Sequence, residues 1–255
     1  MTHPLFDLSG KRALITGSAQ GIGLSLAHGL ASAGARVILN GRSPDRLHSA
    51  LSDMKDAGYE VDILPFDVTQ HEASRAAVDG YEAEYGPIDI LINNAGIQRR
   101  APLESFDPAD FELLMQTNIA SVFHVGQAVA RHMIARGTGR IINIASIQTA
   151  LARPTIAPYT MTKGAVANLT KGMATDWGPK GLRVNAIAPG YFDTPMNAAL
   201  VQDPEFTGWI ARRTPAGRWG QLPELQGAAI FLASEAASFV NGQVLFVDGG
   251  MSVCL

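Results

Sequence analysis

RALITGSAQGIG, residues 12–23, passes from a short apolar run into a glycine-rich turn. RALITG (12–17) reads as a buried strand, and the helical pattern resumes from about Gly21. Glycines in such a turn let the chain reverse tightly. They also let an anionic group approach the N-terminus of the next helix, where unpaired N–H groups point outward. A strand, a glycine turn and a helix together make half of a βαβ unit. Glycine-rich turns end many strands, so this one gains weight only from the pattern of the remaining chain.

The same alternation runs through the rest of the sequence. ARVILN (35–40), VDILPF (61–66), IDILIN (88–93), RIINIAS (140–146), LRVNAIAP (182–189) and QVLFVD (243–248) read as six further strands. They are continuous apolar runs, which suits strands covered by helices on both faces. Between them, stretches such as FELLMQTNIASVFHVGQAVARHMI repeat apolar residues every three or four positions. The expected fold is α/β: a doubly wound, mostly parallel sheet of the Rossmann type, in one domain over 1–255. Residues 191–221 form a long connection carrying Pro195, Pro204, Pro215 and several glycines, and are read as an irregular lid over a substrate.

Composition bounds the partners. The chain has 255 residues, 47% hydrophobic and 17% charged, with a net charge of −3. No global basic field exists to hold nucleic acid or an anionic membrane, so an anionic ligand must be met by local cations. One cysteine, Cys254, cannot build a disulfide framework, and no cluster suggests a metal. The first residues, MTHPLFDLSGKRALITG, show no secretory pattern, and no apolar run approaches a membrane span. A cytoplasmic location is the expectation.

Candidate site residues fall at strand ends, where open α/β sheets bind ligands. Gly17, Ser18, Gln20, Gly21, Ile22 and Gly23 form the turn after the first strand. A dinucleotide site usually has an acid at the end of the second strand for the ribose 2′-hydroxyl. Here Asn40-Gly41-Arg42 offers a guanidinium instead, which suits a 2′-phosphate and favours NADP(H) over NAD(H). The competing reading makes Arg42 a solvated loop residue. Asp67-Val68 follows the third strand, where Asp67 suits either an adenine amino group or a helix N-cap. In Asn93-Asn94-Ala95-Gly96 the paired amides need hydrogen-bonding tasks, one of them tying strands together, while Ala95 and Gly96 leave room for a flat ring.

Ser146 ends the fifth strand, and Tyr159 and Lys163 lie one turn apart if 158–177 is a helix. A nearby ammonium would lower the tyrosine pKa and make the phenol useful for proton transfer. Asn118 lies inside a helix despite poor propensity there. It either holds a water near Lys163 or is a satisfied core amide.

In this order the motifs TGSAQGIG, Asp67-Val68, NNAG, Asn118, Ser146, YTMTK and Pro189-Gly190 followed by Thr194 resemble the short-chain dehydrogenase/reductase family over nearly the whole chain. The resemblance implies an Asn118–Ser146–Tyr159–Lys163 proton relay, with Lys163 also on the nicotinamide ribose. It implies that Pro189, Gly190, Phe192 and Thr194 meet the carboxamide end, and that the enzyme is a homotetramer built through helices equivalent to 108–135 and 158–177 and the last strand. NNAGIQRRAPL (93–103), ARPTIAPYTMTKGAV (152–166), APGYFDTPM (188–196) and RTPAGRWG (213–220) are similar to members that reduce a keto sugar acid. Ala150 departs from an acidic residue expected there.

For such a substrate Arg100, Arg153, Gln148 and Tyr191 are the candidate contacts beside Ser146 and Tyr159. Adjacent residues of an extended segment point opposite ways, so one of Arg99 and Arg100 faces the site, and the resemblance favours Arg100. Trp209 and Trp219 would close with the lid. Another keto-acid or 3-oxoacyl reductase, or a non-catalytic NADP-binding scaffold, are the alternatives; retention of Tyr159 and Lys163 argues against the last.

Overall fold

A computed structural model describes residues 3–254. Its strands are β1 (Arg12–Ile15), β2 (Arg36–Leu39), β3 (Val61–Ile63), β4 (Ile90–Asn93), β5 (Gly139–Ile144), β6 (Leu182–Pro189) and β7 (Val244–Val247). They form one sheet in the order β3-β2-β1-β4-β5-β6-β7, and every pairing is parallel. The order reverses between β1 and β4, which opens a crevice beyond the carboxyl ends of those strands. All seven expected strands are present. The third is shorter than 61–66 because Pro65 has no N–H to continue the ladder, although Leu64 N still donates to Leu39 O at 2.8 Å.

The helices up to β6 are α1 (Gly21–Ser32), α2 (Pro44–Asp56), α3 (His71–Tyr85), α4 (Pro108–Met115), α5 (Ser121–Arg136) and α6 (Ala157–Trp177). Then follow α7 (Ala198–Val201), α8 (Pro204–Arg213) and α9 (Gln226–Ala233). Alternate residues of each strand feed different cores. Ala13, Ile15, Val37 and Leu39 pack with Leu26 and Leu30 of α1, Met54 of α2 and Leu232 of α9. Leu14, Ile38 and Leu91 pack with Val78 of α3, Val129 of α5 and Met173 of α6. Burial on both faces explains why the strands show no polar alternation.

Two expectations need correction. The helical stretch after β4 is not continuous: a π-type turn, Gln116–Ala120, separates α4 from α5, and the Ser121 N–H reaches back to Gln116 O. The connection over 191–221 is largely helical rather than irregular. Two of its prolines stand at helix starts, Pro195 in a 3₁₀ turn and Pro204 in α8, where a missing N–H does no harm, while Pro215 lies in the turn after α8. Asp203 caps α8 by accepting from Glu205 N and Phe206 N at 2.9 and 3.2 Å. Ile210 and Trp219 join Ile147 and Met251 in a separate small core under this segment.

Asn143, fully buried in β5, links three elements. It accepts from Asn93 Nδ2 at 2.9 Å and donates to Thr170 Oγ1 of α6 at 2.9 Å. Asn93 therefore has the strand-tying task expected of one of the paired amides. Asn143→Ala leaves a buried donor unpaired and should destabilise the fold by roughly 1–3 kcal/mol in urea titration. A loss under about 0.5 kcal/mol would contradict this role.

Candidate active site

At the switch point the sheet ends in a cleft of about 440 Å³. The candidate catalytic, cofactor and substrate contacts read from the sequence line it except Ser18 and Asn118, and neither of the lid tryptophans does. Ser18 is fully buried, its hydroxyl donating to Ile15 O at 2.7 Å and accepting from Asn40 N at 3.0 Å. Its N–H donates to Asn40 O at 2.9 Å, so Ser18 stitches β1 to β2 instead of meeting a ligand. Asn40 is also pinned: its amide donates to Leu64 O and Phe66 O at 3.0 and 3.1 Å, and its carbonyl accepts from Gly17 N at 3.3 Å.

The glycine turn is held open from the β4 side. Asn94 Nδ2 donates to Thr16 O and Gly17 O at 2.9 and 3.1 Å, while Thr16 Oγ1 accepts from Asn94 N and Ala95 N at 2.9 and 3.0 Å. Gly17 sits at φ 63°, where a side chain is strained. A Cβ on Gly23 would fall 2.5 Å from Gly17 O and from Asn94 Nδ2, so α1 can approach the turn only with glycine there.

The end of the cleft beyond β2 carries cations. Arg42 Nη1 lies 3.7 Å from Asp67 Oδ2. Asp67 Oδ1 accepts from Thr69 N and Thr69 Oγ1 at 2.9 and 2.8 Å, a local turn; α3 starts at His71, so Asp67 is not its N-cap. Burial raises the Asp67 pKa, but the Thr69 bonds and the Arg42 charge outweigh it and hold the carboxyl below its ordinary value. Among the lining residues that escape the sequence reading are Ser43 and Arg46. Arg46 Nη1 donates to Gln20 Oε1 of the glycine turn at 3.2 Å. The signal is present: Arg42 and Arg46 are four apart across the start of α2, with Ser43 as its N-cap.

At the centre, Ser146, Tyr159 and Lys163 converge. Lys163 is buried and its ammonium donates to Ile144 O at 2.8 Å, 5.6 Å from the Tyr159 ring centroid. Burial pulls the Lys163 pKa down to about 8. Tyr159 does not have the lowered pKa expected beside an ammonium. Burial pushes its phenol up to about 12, against a hydrogen bond from Ser146 and the charge of Arg100. The ammonium is directed at the end of β5, and loss of solvent outweighs the nearby charges. Asn118 clamps the loop after β4, its amide accepting from Ile97 N and donating to Ile97 O at 2.8 and 2.9 Å.

Pro189, Gly190, Phe192 and Thr194 border the cleft at the end of β6. The Phe192 ring is buried against Gly220, and Thr194 Oγ1 accepts from Asn197 N at 3.2 Å. Beyond Tyr159 the lining includes Arg100, Gln148, Arg153 and Tyr191. Arg99 points away and pairs with Asp110 at 2.9 Å. Arg153 lies 5.6 Å over the Phe206 ring, and Gln148 Nε2 donates to the Tyr191 hydroxyl at 3.5 Å. Burial and the like charge of Arg153 both lower the Arg100 pKa. Asp67 is the one carboxylate lining the cleft among the described residues, and it lies at the other end. Trp219 does not face the cleft: it is buried in the small core with Nε1 donating to Thr207 Oγ1 at 3.1 Å. Trp209 and Ala150 are also absent from the lining.

The fold and this constellation define a nucleotide-linked oxidoreductase. The chain belongs to the short-chain dehydrogenase/reductase family; residues 17–252 match a family model described as enoyl-(acyl carrier protein) reductase. It is 62% identical to gluconate 5-dehydrogenase of Gluconobacter oxydans over 256 residues, covering 100% of both chains. It is 50% identical to the 5-keto-D-gluconate 5-reductase of Escherichia coli strain K12, covering 99% of this chain and 100% of that one. The structure superposes with a TM-score of 0.97 on a gluconate 5-dehydrogenase from Burkholderia cenocepacia in complex with NADP and tartrate, at 58% identity and 99% coverage of each chain.

Because the folded Lys163 titrates near 8 and an unfolded lysine near 10.4, the folded state binds fewer protons between those values. Stability therefore rises with pH across that window. Wild type should gain stability relative to Lys163→Met in urea titrations from pH 7 to about 10. Parallel curves would show that Lys163 is not held in a depressed state.

Proposed function

We propose that the protein is an NADP(H)-dependent oxidoreductase that interconverts D-gluconate and 5-keto-D-gluconate, with Tyr159 as the residue that exchanges the proton. The observation that carries the substrate class is the pair Arg100 and Arg153. Both line the cleft beside Tyr159, and neither forms an ion pair among the described residues. Unpaired cations facing a shielded cleft suit an anionic substrate. A 3-oxoacyl chain would instead meet guanidinium, amide and phenol groups. The names and bound NADP of the relatives agree with the sugar-acid reading.

The residues fit the cofactor. The glycine turn leaves space for a pyrophosphate at the start of α1, and Arg42, Ser43 and Arg46 present donors where a 2′-phosphate would lie. Bound NADPH supplies the hydride. The phenol of Tyr159 gives its proton to the ketone oxygen, which the Ser146 hydroxyl polarises. A pKa of about 12 keeps Tyr159 protonated for that role, and positive charge arriving with the oxidised cofactor would favour the phenolate in the reverse direction. Lys163 holds the end of β5 and reaches towards the ribose. Asn118 fixes the loop that carries Arg100. Residues 191–221 act as the lid. A cytoplasmic homotetramer completes the reading. The assembly is supported by the apolar side chains left exposed on α4, α5, α6 and β7: Leu113 40%, Phe123 42%, Met161 46% and Leu245 37%.

The test is NADPH consumption with a panel of keto sugar acids and 3-oxoacyl thioesters, repeated with variants. 5-Keto-D-gluconate should be the preferred substrate. Tyr159→Phe should lower turnover by on the order of 10²–10⁴-fold while NADPH binding persists. A Tyr159→Phe enzyme keeping more than about a tenth of the rate would overturn the assignment. Arg42→Ala and Arg46→Ala should each weaken NADPH, and not NADH, by on the order of 1.5–3 kcal/mol. Equal use of NADH by wild type would refute the phosphate site.

A further inference from the structure

The substrate end holds more positive charge than a monocarboxylate can neutralise. Arg100 and Arg153 are close enough for the charge of one to disfavour the charge of the other. Tyr191, kept neutral by burial, feels the charge of both and accepts hydrogen bonds from Arg153 and from Gln148. D-Gluconate brings one carboxylate. With it bound to either arginine, the other guanidinium stays uncompensated in a cleft partly withdrawn from water.

The polar atoms without partners describe the rest of the ligand. Gln148 is only 6% exposed, and its Oε1 is buried with no hydrogen-bond partner among the described residues. The Nε of Arg153 is likewise buried and unpartnered. An amide oxygen accepts, so it calls for a hydroxyl; a guanidinium donates, so it calls for a carboxylate oxygen. The planar fork of each arginine matches a carboxylate with two parallel bonds. The complementary ligand is therefore a chain with hydroxyls in its middle and an anionic group for each arginine.

We propose that this cleft also accepts polyhydroxy dicarboxylates, with one carboxylate on Arg100, the other on Arg153 and a chain hydroxyl on Gln148. This rests on the sugar-acid reading of the site. Oxidation would take the same course: the secondary alcohol carbon loses hydride to NADP⁺, the hydroxyl proton passes to Tyr159 and on to water, and the products are the keto dicarboxylate and NADPH. The two ends of the chain are then held as well as its centre, so the acid adjacent to the reacting carbon is no obstacle to binding.

D-Glucarate is the matched probe, because it carries a carboxylate where D-gluconate carries its C6 hydroxymethyl group. Binding of both to the NADP⁺-loaded protein is measured by calorimetry at low salt, alongside oxidation rates. D-Glucarate should bind about ten-fold tighter or more, given one further charge-assisted contact. Arg100→Gln and Arg153→Gln should each bring the ratio near unity, while Arg153→Lys, which keeps the charge, should retain much of it. A glucarate affinity no better than that of gluconate would overturn the proposal. So would a preference untouched by both glutamine variants, or a stronger preference for 6-phosphogluconate. If glucarate binds tightly and needs both arginines, yet 5-keto-D-gluconate is not reduced, this proposal stands and the gluconate assignment falls.

Discussion

Where seven parallel strands stop together, their last N–H and C=O groups lose their ladder partners inside a nearly dry interior. That constraint organises everything at the carboxyl edge. Asn40 closes the ends of β1, β2 and β3; Thr16 and Asn94 join the ends of β1 and β4; Lys163 takes the last carbonyl of β5. Each unpaired group would cost on the order of 1–3 kcal/mol, so this lattice is obligatory for the fold. It is also what aims the glycine turn and α6 at a common point.

The division of labour among polar residues stems from that lattice. Those whose hydrogen bonds are used internally, such as Ser18, Asn40 and Asn118, shape the cleft. Those left with spare capacity, Tyr159, Gln148, Arg100 and Arg153, face the space a substrate would fill. In a chain with net charge −3, concentrating cations at the two ends of one cleft is what lets an anionic cofactor and an anionic substrate be gathered by the same protein. The intervening centre is kept poorly solvated, which is why Lys163 and Tyr159 both shift towards their neutral forms.

Much of this is readable from the chain. Continuous apolar strands set by short β-branched runs, and a glycine turn succeeded by an arginine instead of an acid, carry their own physical meaning at fixed positions. Arg99 and Arg100 are separable in principle by the alternation of an extended segment, and the structure turns Arg99 to Asp110. What is not readable depends on distant packing. Nothing local shows that Ser18 spends its hydroxyl on β2, or that Trp219 is buried by Ile210 and Met251. Pro195 and Pro204 look like breakers because Pro at a helix start and Pro in a loop are the same letter. The direction of the Tyr159 shift is not legible because spacing reveals the ammonium one turn away but not the loss of water around the phenol.

The most direct test of the convergence of Tyr159, Ser146 and the cofactor cleft on one carbon is to follow the transferred hydride. The protein would reduce 5-keto-D-gluconate with NADPH carrying deuterium at both C4 positions of the nicotinamide, and the product would be read by nuclear magnetic resonance. Deuterium at C5 of gluconate, in a single configuration, is the expected result. A product without deuterium, or with it at another carbon, would contradict the placement of the ketone against Tyr159.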